Sequence, residues 1–380
     1  MSYDGRRQRH IVPTMVALSA AYSAACLSWS TQPFQFPVLS VQSGFGDVAA
    51  GWVLSCEICL AALVSMVLGF LGNARTTRKL LLAATLLTVI GCLLAAVFVS
   101  FAGVLLARAI AGVGEGIMIA AVNASIAAID FPEKRYGQIN AIMGLAGFLI
   151  VLGMPYALGI LHLHGAVFAM LAIATLICLP LIALFPVRKS LGSMSATHGL
   201  GGWRGWAVCT AVLLSSTAVG SFYPSTESLG QAAGIAPAAL GFVLSLAFIG
   251  SIIGSYMAAW LDERLGILGG ALLVAAGLTA SVSLLVHAHG VVQYGAGMFF
   301  FGVFWFHGFM TCLGLAAMVD PGGGCAAAAG GTFFLGGGVG PLLGGYELDW
   351  SGGNSGSFGW SVGALMAGFL LLVGLVHAHR

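Results

Sequence analysis

Three ionisable residues, Glu57, Arg108 and Glu115, lie inside long apolar segments of this chain. A charge at the middle of a bilayer costs roughly 2.5–3.5 kcal/mol, so three unpaired charges would cost on the order of 8–10 kcal/mol. Such residues must therefore pair, bind protons or line water. An arginine favours the ionised form of the nearer carboxyl, while burial favours the protonated form of the other. The pattern predicts a proton site.

Arg108 and Glu115 are seven positions apart, so both project from one helix face, about 10 Å from each other. That separation is too long for a direct contact, but Glu57 falls at a depth between them and reaches Arg108 if the two helices adjoin. We expect Glu115 to carry the proton, Glu57 to be its partner or a second carrier, and Arg108 to tune both. A purely structural ion pair is the alternative.

The segments around these residues are typical of membrane-spanning helices. The 380-residue chain is 59% hydrophobic and 7% charged, and it contains 56 glycines, whereas a soluble domain carries about 25% charged residues. Apolar stretches of 18 or more residues predict a multi-pass, all-α membrane protein. We predict twelve spans, at 11–39, 48–71, 79–99, 102–130, 137–160, 166–186, 206–228, 237–261, 266–286, 291–318, 322–345 and 356–376.

An internal repeat divides the spans into two pseudo-symmetric halves of six helices. Gly51-Trp-Val-Leu-Ser55 returns 190 positions later as Gly241-Phe-Val-Leu-Ser245, and Arg108 to Val113 aligns with Met298 to Val303 at the same offset. Parallel repeats of this kind are typical of secondary transporters with a site between the halves. We predict a cytoplasmic tail at residues 1–10 and a first six-helix bundle at 11–186. A polar cytoplasmic linker at 187–205 leads to the second six-helix bundle at 206–380.

The distribution of Lys and Arg predicts the orientation, because cytoplasmic loops are enriched in these residues. With the N-terminus inside, thirteen of the fourteen basic residues fall in cytoplasmic segments, and the fourteenth is Arg108. We therefore expect an integral protein of the bacterial inner membrane with both termini in the cytoplasm.

Several motifs resemble those of the major facilitator superfamily (MFS). Gly69-Phe-Leu-Gly-Asn73-Ala-Arg75-Thr-Thr-Arg78-Lys79 is similar to the family's loop motif, with Asn73 in place of its aspartate. Asp262-Glu-Arg264-Leu-Gly266 is the counterpart in the second half. Arg108-x-x-x-Gly112-x-Gly114 and Asp130-Phe-Pro132-Glu-Lys-Arg135 are similar to the fourth-span motif and its following corner.

The resemblance implies the MFS fold, a proton-coupling role for Arg108 and a latch at the cytoplasmic side. The residues implied for this cytoplasmic gate are Asn73, Arg75, Arg78, Asp130, Arg135, Asp262 and Arg264. Because the motif aspartate is replaced, the latch would be weaker or differently connected than in the family. These basic residues would otherwise serve only to set the topology.

A substrate cavity is predicted from aromatic and polar residues of the remaining spans. Met298, Phe301 and Trp305 share one face of the tenth span, and the repeat places Trp305 at the position of Glu115. His307 lies about 200° from Trp305 around that helix and is a weaker candidate. Polar breaks at the outer ends of spans one and seven add Gln32, Gln35, Tyr223 and Glu227. Lipid-facing packing and simple helix ends are the alternatives.

These features predict a proton-coupled secondary active transporter of a small amphipathic organic molecule, working by alternating access, with export favoured. Proton symport of a small organic carboxylate on Arg108 stays open. A copper or zinc transporter is the metal alternative, with candidates Cys56, Cys59, His162 and His164. A receptor or assembly factor on the same scaffold is the non-transporter alternative. We expect no enzyme activity, no cofactor besides the coupling proton and no nucleic-acid partner; the partners are the substrate and the lipid bilayer, and the protein acts as a monomer.

Overall fold

The computed structural model describes residues 3–70, 76–127, 129, 132–161, 165–186, 202–320 and 324–378. In this part of the chain there is no β-strand, and thirteen α-helices follow one another. Their bounds are α1 (Tyr3–Ser30), α2 (Gln32–Pro37), α3 (Asp47–Phe70), α4 (Arg78–Val97), α5 (Phe101–Ala127), α6 (Pro132–Leu161), α7 (Ala166–Ile182), α8 (Trp203–Phe222), α9 (Thr226–Ala232), α10 (Pro237–Val286), α11 (Val291–Val319), α12 (Gly324–Trp350) and α13 (Phe358–Ala378).

The predicted fold class is confirmed: the protein is an all-helical membrane protein. Within the described residues, eleven helical segments are long and apolar enough to cross a membrane. The shorter apolar helix α7 lies where the sixth span was predicted. Most of the predicted linker, residues 187–201, lies outside the described residues. The domain limits therefore stay a prediction.

Two predicted spans are interrupted near one end. Span one consists of α1, α2 and a π-helical turn (Val38–Gln42), and span seven consists of α8, a 3₁₀ turn (Tyr223–Ser225) and α9. Each interruption contains a proline, Pro33 or Pro224, which cannot donate a backbone hydrogen bond. The breaks lie at the end of the bundle where α1 finishes and α3 begins, which we call the distal end.

The eighth and ninth spans form one helical hairpin, α10, that reverses at a single residue. Gly266 has a φ of 69° and a ψ of 164°, a conformation that L-residues with a side chain avoid. The first arm of α10 runs parallel to α11, since Gly250 lies against Phe299 and Gly254 against Val303. The second arm runs antiparallel, and it meets α11 at Val274 and Leu285.

Close helix contacts repeat at the offset found in the sequence. A Cβ on Gly112 would collide with the backbone carbonyl of Glu57, and a Cβ on Gly302 would collide with that of Ala247. Both residues of the second pair follow those of the first by 190 positions. Small residues permit such backbone approach in membrane helices. The two halves therefore share this packing as well as the sequence pattern.

Helix α12 joins the two halves of the chain through a row of glycines. Gly338 and Gly345 lie against the backbone of α3, while Gly336, Gly340 and Gly344 lie against α8. The Ser55 hydroxyl also accepts a hydrogen bond from the Leu342 amide at 2.9 Å. Together with the contact between α2 and α9, these interfaces bring the halves together at the distal end.

Candidate functional site

Arg108 is fully buried and makes an ion pair with the fully buried Glu57. Its Nε donates to Glu57 Oε2 at 3.1 Å, and its Nη2 donates to the Ser28 hydroxyl at 2.6 Å. Ser28 in turn donates to Glu57 Oε2 at 2.8 Å. Nη1 contacts Cys92 Sγ at 3.2 Å, and the guanidinium lies 5.1 Å from the centre of the Phe168 ring. The expected contact between Glu57 and Arg108 is present.

The glycines of α5 explain how these residues meet. Gly112 and Gly116 pack against the backbone of α3 at Glu57 and Ala61, while Gly114 packs against α4. Because no side chain separates α5 from α3, the short Glu57 side chain reaches the guanidinium. The motif Arg108-x-x-x-Gly112-x-Gly114 is thus a packing device that brings one charge to another.

Glu115 lies beside these residues. We call Ser28, Glu57, Arg108 and Glu115 the acid–arginine cluster. Glu115 is 3% exposed, and its carboxyl lies within hydrogen-bonding reach of the Glu57 carboxyl. Two ionised carboxylates cannot donate to each other, so this contact requires one proton. Glu57 already accepts from Arg108 and Ser28, which leaves Glu115 as the predicted holder of that proton.

A group of aromatic rings lies beside the acid–arginine cluster, on the residue that follows Ser28. Trp29 of α1 contacts Trp305 of α11, with ring centres 5.8 Å apart, and Phe333 of α12 at 5.3 Å. Trp305 stacks on Phe333 and also contacts Tyr223. We call Trp29, Tyr223, Trp305 and Phe333 the aromatic cluster. It joins residues from the first and second halves of the chain.

Several buried polar atoms near these clusters have no hydrogen-bond partner. They include both indole nitrogens, Trp29 Nε1 and Trp305 Nε1, both amide atoms of Gln32, and Gln35 Oε1. Gln32 and Gln35 are fully buried and Trp29 is 8% exposed. Buried polar groups are normally satisfied in folded proteins, so these atoms are candidates for hydrogen bonds to water or to a ligand.

The predicted cavity residues at the distal end form a contact between the halves. The Tyr223 hydroxyl donates to the Ser30 carbonyl at 2.7 Å. The Gln35 amide donates to the Ser28 carbonyl at 2.7 Å and to the Thr31 hydroxyl at 2.9 Å. Glu227 accepts from Gln231, and its Oε2 has no partner. Tyr223 therefore joins the broken ends of spans one and seven, while Gln35 stabilises the break within span one.

Met298 and Phe301 are fully buried in the helix core. Phe301 stacks on Tyr223, with ring centres 6.3 Å apart, and contacts Trp305 at 6.1 Å with the ring planes tilted by 50°. Phe301 therefore packs against two members of the aromatic cluster, Tyr223 and Trp305. For Met298 the structure shows core packing and no polar contact.

His307 was a predicted cavity residue, but the structure places it elsewhere. Its Nε2 lies 3.0 Å from Asp262 Oδ1, and the Thr311 hydroxyl donates to Asp262 Oδ2 at 2.7 Å. His307 is fully buried, whereas the Asp262 side chain is 16% exposed. The imidazole faces α10 because it projects from α11 on a different side from Trp305. Asp262, assigned to the cytoplasmic gate, is thus the partner of this histidine.

The remaining gate residues are only partly described. Asn73, Arg75 and Asp130 lie outside the described residues. Arg135 donates to Gln138 on its own helix at 3.0 Å, and the exposed Arg264 lies over the Trp260 ring at 4.0 Å. Arg78 is the first residue of α4 and is half-buried. The latch between Asp130 and Arg135 stays a prediction.

The candidate metal ligands are not brought into a site within the described part of the chain. Cys56 and Cys59 are half-buried free thiols, and Cys59 packs against Gly338. A search of the described residues finds no group of three or more His, Cys, Asp or Glu that fits a metal ion. His162 and His164 lie outside those residues.

Sequence reasoning missed Ser28, Trp29, Cys92 and Phe333. Ser28-Trp29-Ser30 interrupts an apolar helix and is a local signal that the residues beside it have polar neighbours. Cys92 and Phe333 carry no such signal, because each is an ordinary apolar residue of its own helix. Only the packing of α4 on α5 and of α12 on α1 reveals their contacts.

The fold and the buried charge cluster define a multi-pass helical transporter-like protein, and comparison gives its family. The sequence model of the Major Facilitator Superfamily matches residues 18–322. The chain therefore belongs to the major facilitator superfamily. A search of curated proteins finds no matching sequence.

Solved structures of MFS transporters share the fold at low sequence identity. The crystal structure of the nucleoside transporter NupG superposes with a TM-score of 0.72 and 14% identity, covering 96% of this chain and 98% of that chain. A bacterial homologue of the human drug peptide transporters PepT1 and PepT2 superposes with a TM-score of 0.70 and 15% identity, covering 97% of both chains. At these identities the likeness shows the fold alone.

Proposed function

We propose that the protein is a proton-coupled secondary active transporter of a small amphipathic organic molecule, with proton-driven export as its direction. The observation that carries the proposal is the carboxyl of Glu115, buried within hydrogen-bonding reach of Glu57. Because Glu57 is already paired with Arg108, we assign the transported proton to Glu115.

Release of that proton requires a change in the surroundings of Glu115. Burial disfavours the ionised carboxylate, and only solvation or a cation stabilises it. Opening the bundle on one side would hydrate Glu115 and stabilise its ionised form. A conformational change would thus move the proton on or off, which is the requirement for coupling.

Alternating access requires interfaces that close and open between the halves. The distal end supplies one, since Tyr223 contacts Ser30, and α12 packs backbone to backbone against α3. Among the described residues, the Tyr223–Ser30 and Leu342–Ser55 hydrogen bonds cross this interface. These contacts would have to separate when the distal end opens.

The arrangement favours an uncharged or amphipathic substrate over a carboxylate bound to Arg108. The guanidinium already donates to Glu57 and Ser28 and contacts Cys92. A substrate carboxylate would have to displace Glu57 and leave it unpaired in a buried position, which is costly. Carboxylate symport is therefore the less favoured candidate.

The test uses purified protein in proteoliposomes and the compounds that raise its thermal midpoint in a binding screen. Glu115→Gln should abolish transport driven by a pH gradient while exchange of labelled for unlabelled compound continues. Glu347→Gln is the matched control, because Glu347 binds Ser361 outside the cluster. Unchanged proton coupling in Glu115→Gln would overturn the assignment. Tight binding without flux in the wild type would favour a receptor.

The membrane orientation is a separate part of the proposal. Thirteen basic residues on one side predict that both termini are cytoplasmic and that the distal end faces outward. Cysteine labelling by a membrane-impermeant maleimide tests this. After removal of the native thiols, a cysteine at Gly353 should react in intact cells and a cysteine at Ser2 should not.

A further inference from the structure

We propose that the aromatic cluster binds a flat, uncharged ring that carries hydrogen-bond acceptors, and that this is the substrate class of the transporter. The inference rests on the proposed function, because it assigns a ligand to the same central region. It goes further by specifying the shape, charge and hydrogen-bonding character of that ligand. Three independent features of the clusters carry it.

The first feature is the shape of the surface. Trp29, Trp305 and Phe333 present three rings that contact one another at centre distances of 5.3–6.3 Å. The planes of Trp305 and Phe333 differ by only 20°. Aromatic faces favour offset stacking with other rings. A flat ligand ring matches these surfaces better than a branched or puckered aliphatic one.

The second feature is the unsatisfied donors. The indole nitrogens of Trp29 and Trp305 are buried without partners, and an indole N–H donates but never accepts. Trp29 is more than nine-tenths buried. A ligand that completes these hydrogen bonds must therefore contribute acceptors, such as carbonyl oxygens or ring nitrogens. Gln32, one turn further along, has both amide atoms without partners and can serve a donor or an acceptor.

The third feature is the charge balance. Arg108 and Glu57 neutralise each other. Ser28 belongs to the acid–arginine cluster and Trp29 follows it directly, so the two clusters adjoin. An anionic ligand would have to displace Glu57 from Arg108, and a cationic one would have to replace the proton on which the contact between Glu57 and Glu115 depends. The site therefore selects an uncharged ligand.

Binding also has a geometric consequence for the two halves. A third ring between Trp29 and Trp305 needs about 7 Å between their planes, given atom contacts of about 3.5 Å, but their centres are 5.8 Å apart. The ligand must therefore part α1 from α11. The same event that fills the site separates residues of the first and second halves, which links binding to the conformational change.

The experiment measures the thermal midpoint of the purified full chain in detergent with matched probes. Caffeine, 1,3-dimethyluracil and quinoxaline are flat and uncharged, and each has acceptors. Their counterparts each lack one property: theophylline-7-acetate is charged, 1,3-dimethyl-5,6-dihydrouracil is puckered, and naphthalene has no acceptor. We expect at least one of the first set to raise the midpoint well above its counterpart. No rise with any of them, or an equal rise with the counterparts, would overturn the proposal.

Substitutions then locate the site. Trp29→Phe and Trp305→Phe retain a ring but remove the N–H. Each should raise the dissociation constant of the best probe about 3- to 10-fold. Trp360→Phe is the matched control, since Trp360 is 85% exposed, and it should leave affinity unchanged. Equal affinity in all three variants would exclude the indole donors as ligands.

The two proposals fail in different ways. Selective binding of flat probes without any flux in proteoliposomes would overturn the transporter assignment and retain this site. Proton-driven flux of a compound that is charged or puckered, and that does not compete with the flat probes, would retain the transporter and overturn this site.

Discussion

The two halves of the molecule use the same helix contact for different chemistry. In the first half, Gly112 lets α5 touch α3 at Glu57, and Arg108 completes an ion pair. In the second half, Gly302 lets α11 touch α10 at Ala247. The residues 190 positions after Glu57 and Arg108 are Ala247 and Met298, so the equivalent place is apolar.

The second half has its own titratable pair, at positions that the repeat does not relate to Glu57 and Arg108. His307 and Asp262 meet beside the reversal of α10, and Thr311 supports the carboxylate. There the carboxyl is partly exposed and its partner is a histidine. In the first half the cation is a permanently charged arginine. The shared scaffold thus determines where helices contact each other. The residue types at each contact determine whether it contains a buried ion pair.

The largest effect is expected from changing the first half toward the second. Arg108→Met alone leaves Glu57 charged and buried, and should destabilise the protein by about 3–5 kcal/mol. Glu57→Ala combined with Arg108→Met copies the second half, and most of that loss should return because the pair is replaced by apolar groups. Denaturation of the detergent-solubilised variants measures both. A double variant no more stable than the single one would contradict the comparison, and proton-coupled transport should be absent in each.

The next largest effect concerns the shared glycines. Gly112→Ala and Gly302→Ala each place a methyl group against a backbone carbonyl, so each should cost about 1–3 kcal/mol by overpacking. The control is Gly153→Ala on α6, where an added Cβ meets nothing within 4 Å. That variant should be neutral or stabilising because alanine favours the helix. Unequal costs at 112 and 302 would show that the two contacts are not equivalent.

A smaller effect is expected in the second-half pair. His307→Gln keeps a donor for Asp262, and Asp262→Asn removes the charge. Each should cost about 1–2 kcal/mol, less than Arg108→Met, because Asp262 is 16% exposed and can be hydrated. Thermal midpoints of both variants, compared with that of Arg108→Met, test the ranking. A loss as large as that of Arg108→Met would mean that the second pair is equally desolvated.

The smallest effect should come from the two hydroxyls that support the pairs. Ser28→Ala removes hydrogen bonds to both Arg108 and Glu57, whereas Thr311→Val removes one bond to Asp262. We expect losses of about 1 and about 0.5 kcal/mol respectively, because each charged group keeps its main partner when the hydroxyl is removed. Equal losses would indicate that Ser28 is not essential to the first pair.

The sequence was sufficient for much of the scaffold. Hydropathy placed the spans because a membrane helix must be apolar along its whole length. The contact between Glu57 and Arg108 was predictable because the two residues lie at similar depths in the membrane and buried charges require partners. The 190-residue offset identified Gly112 and Gly302 as equivalent, and their contacts agree.

The arrangement of the site was less predictable, because it depends on how separate helices pack. Nothing in the periodicity of α11 indicates that His307 meets Asp262, a residue from the end of another span. The ring of Phe333 and the indole of Trp29 belong to distant segments, and only the packing of α12 on α1 joins them. Helical spacing gives the face of a residue but not the helix that will cover that face.

The reversal of α10 at Gly266 limits how the second half can move. A single residue joins the two arms, so the chain there has no slack that a longer loop would supply. Movement of one arm along its own axis would therefore move the other arm as well. The two arms are suited to move together with the Asp262–His307 contact beside the reversal.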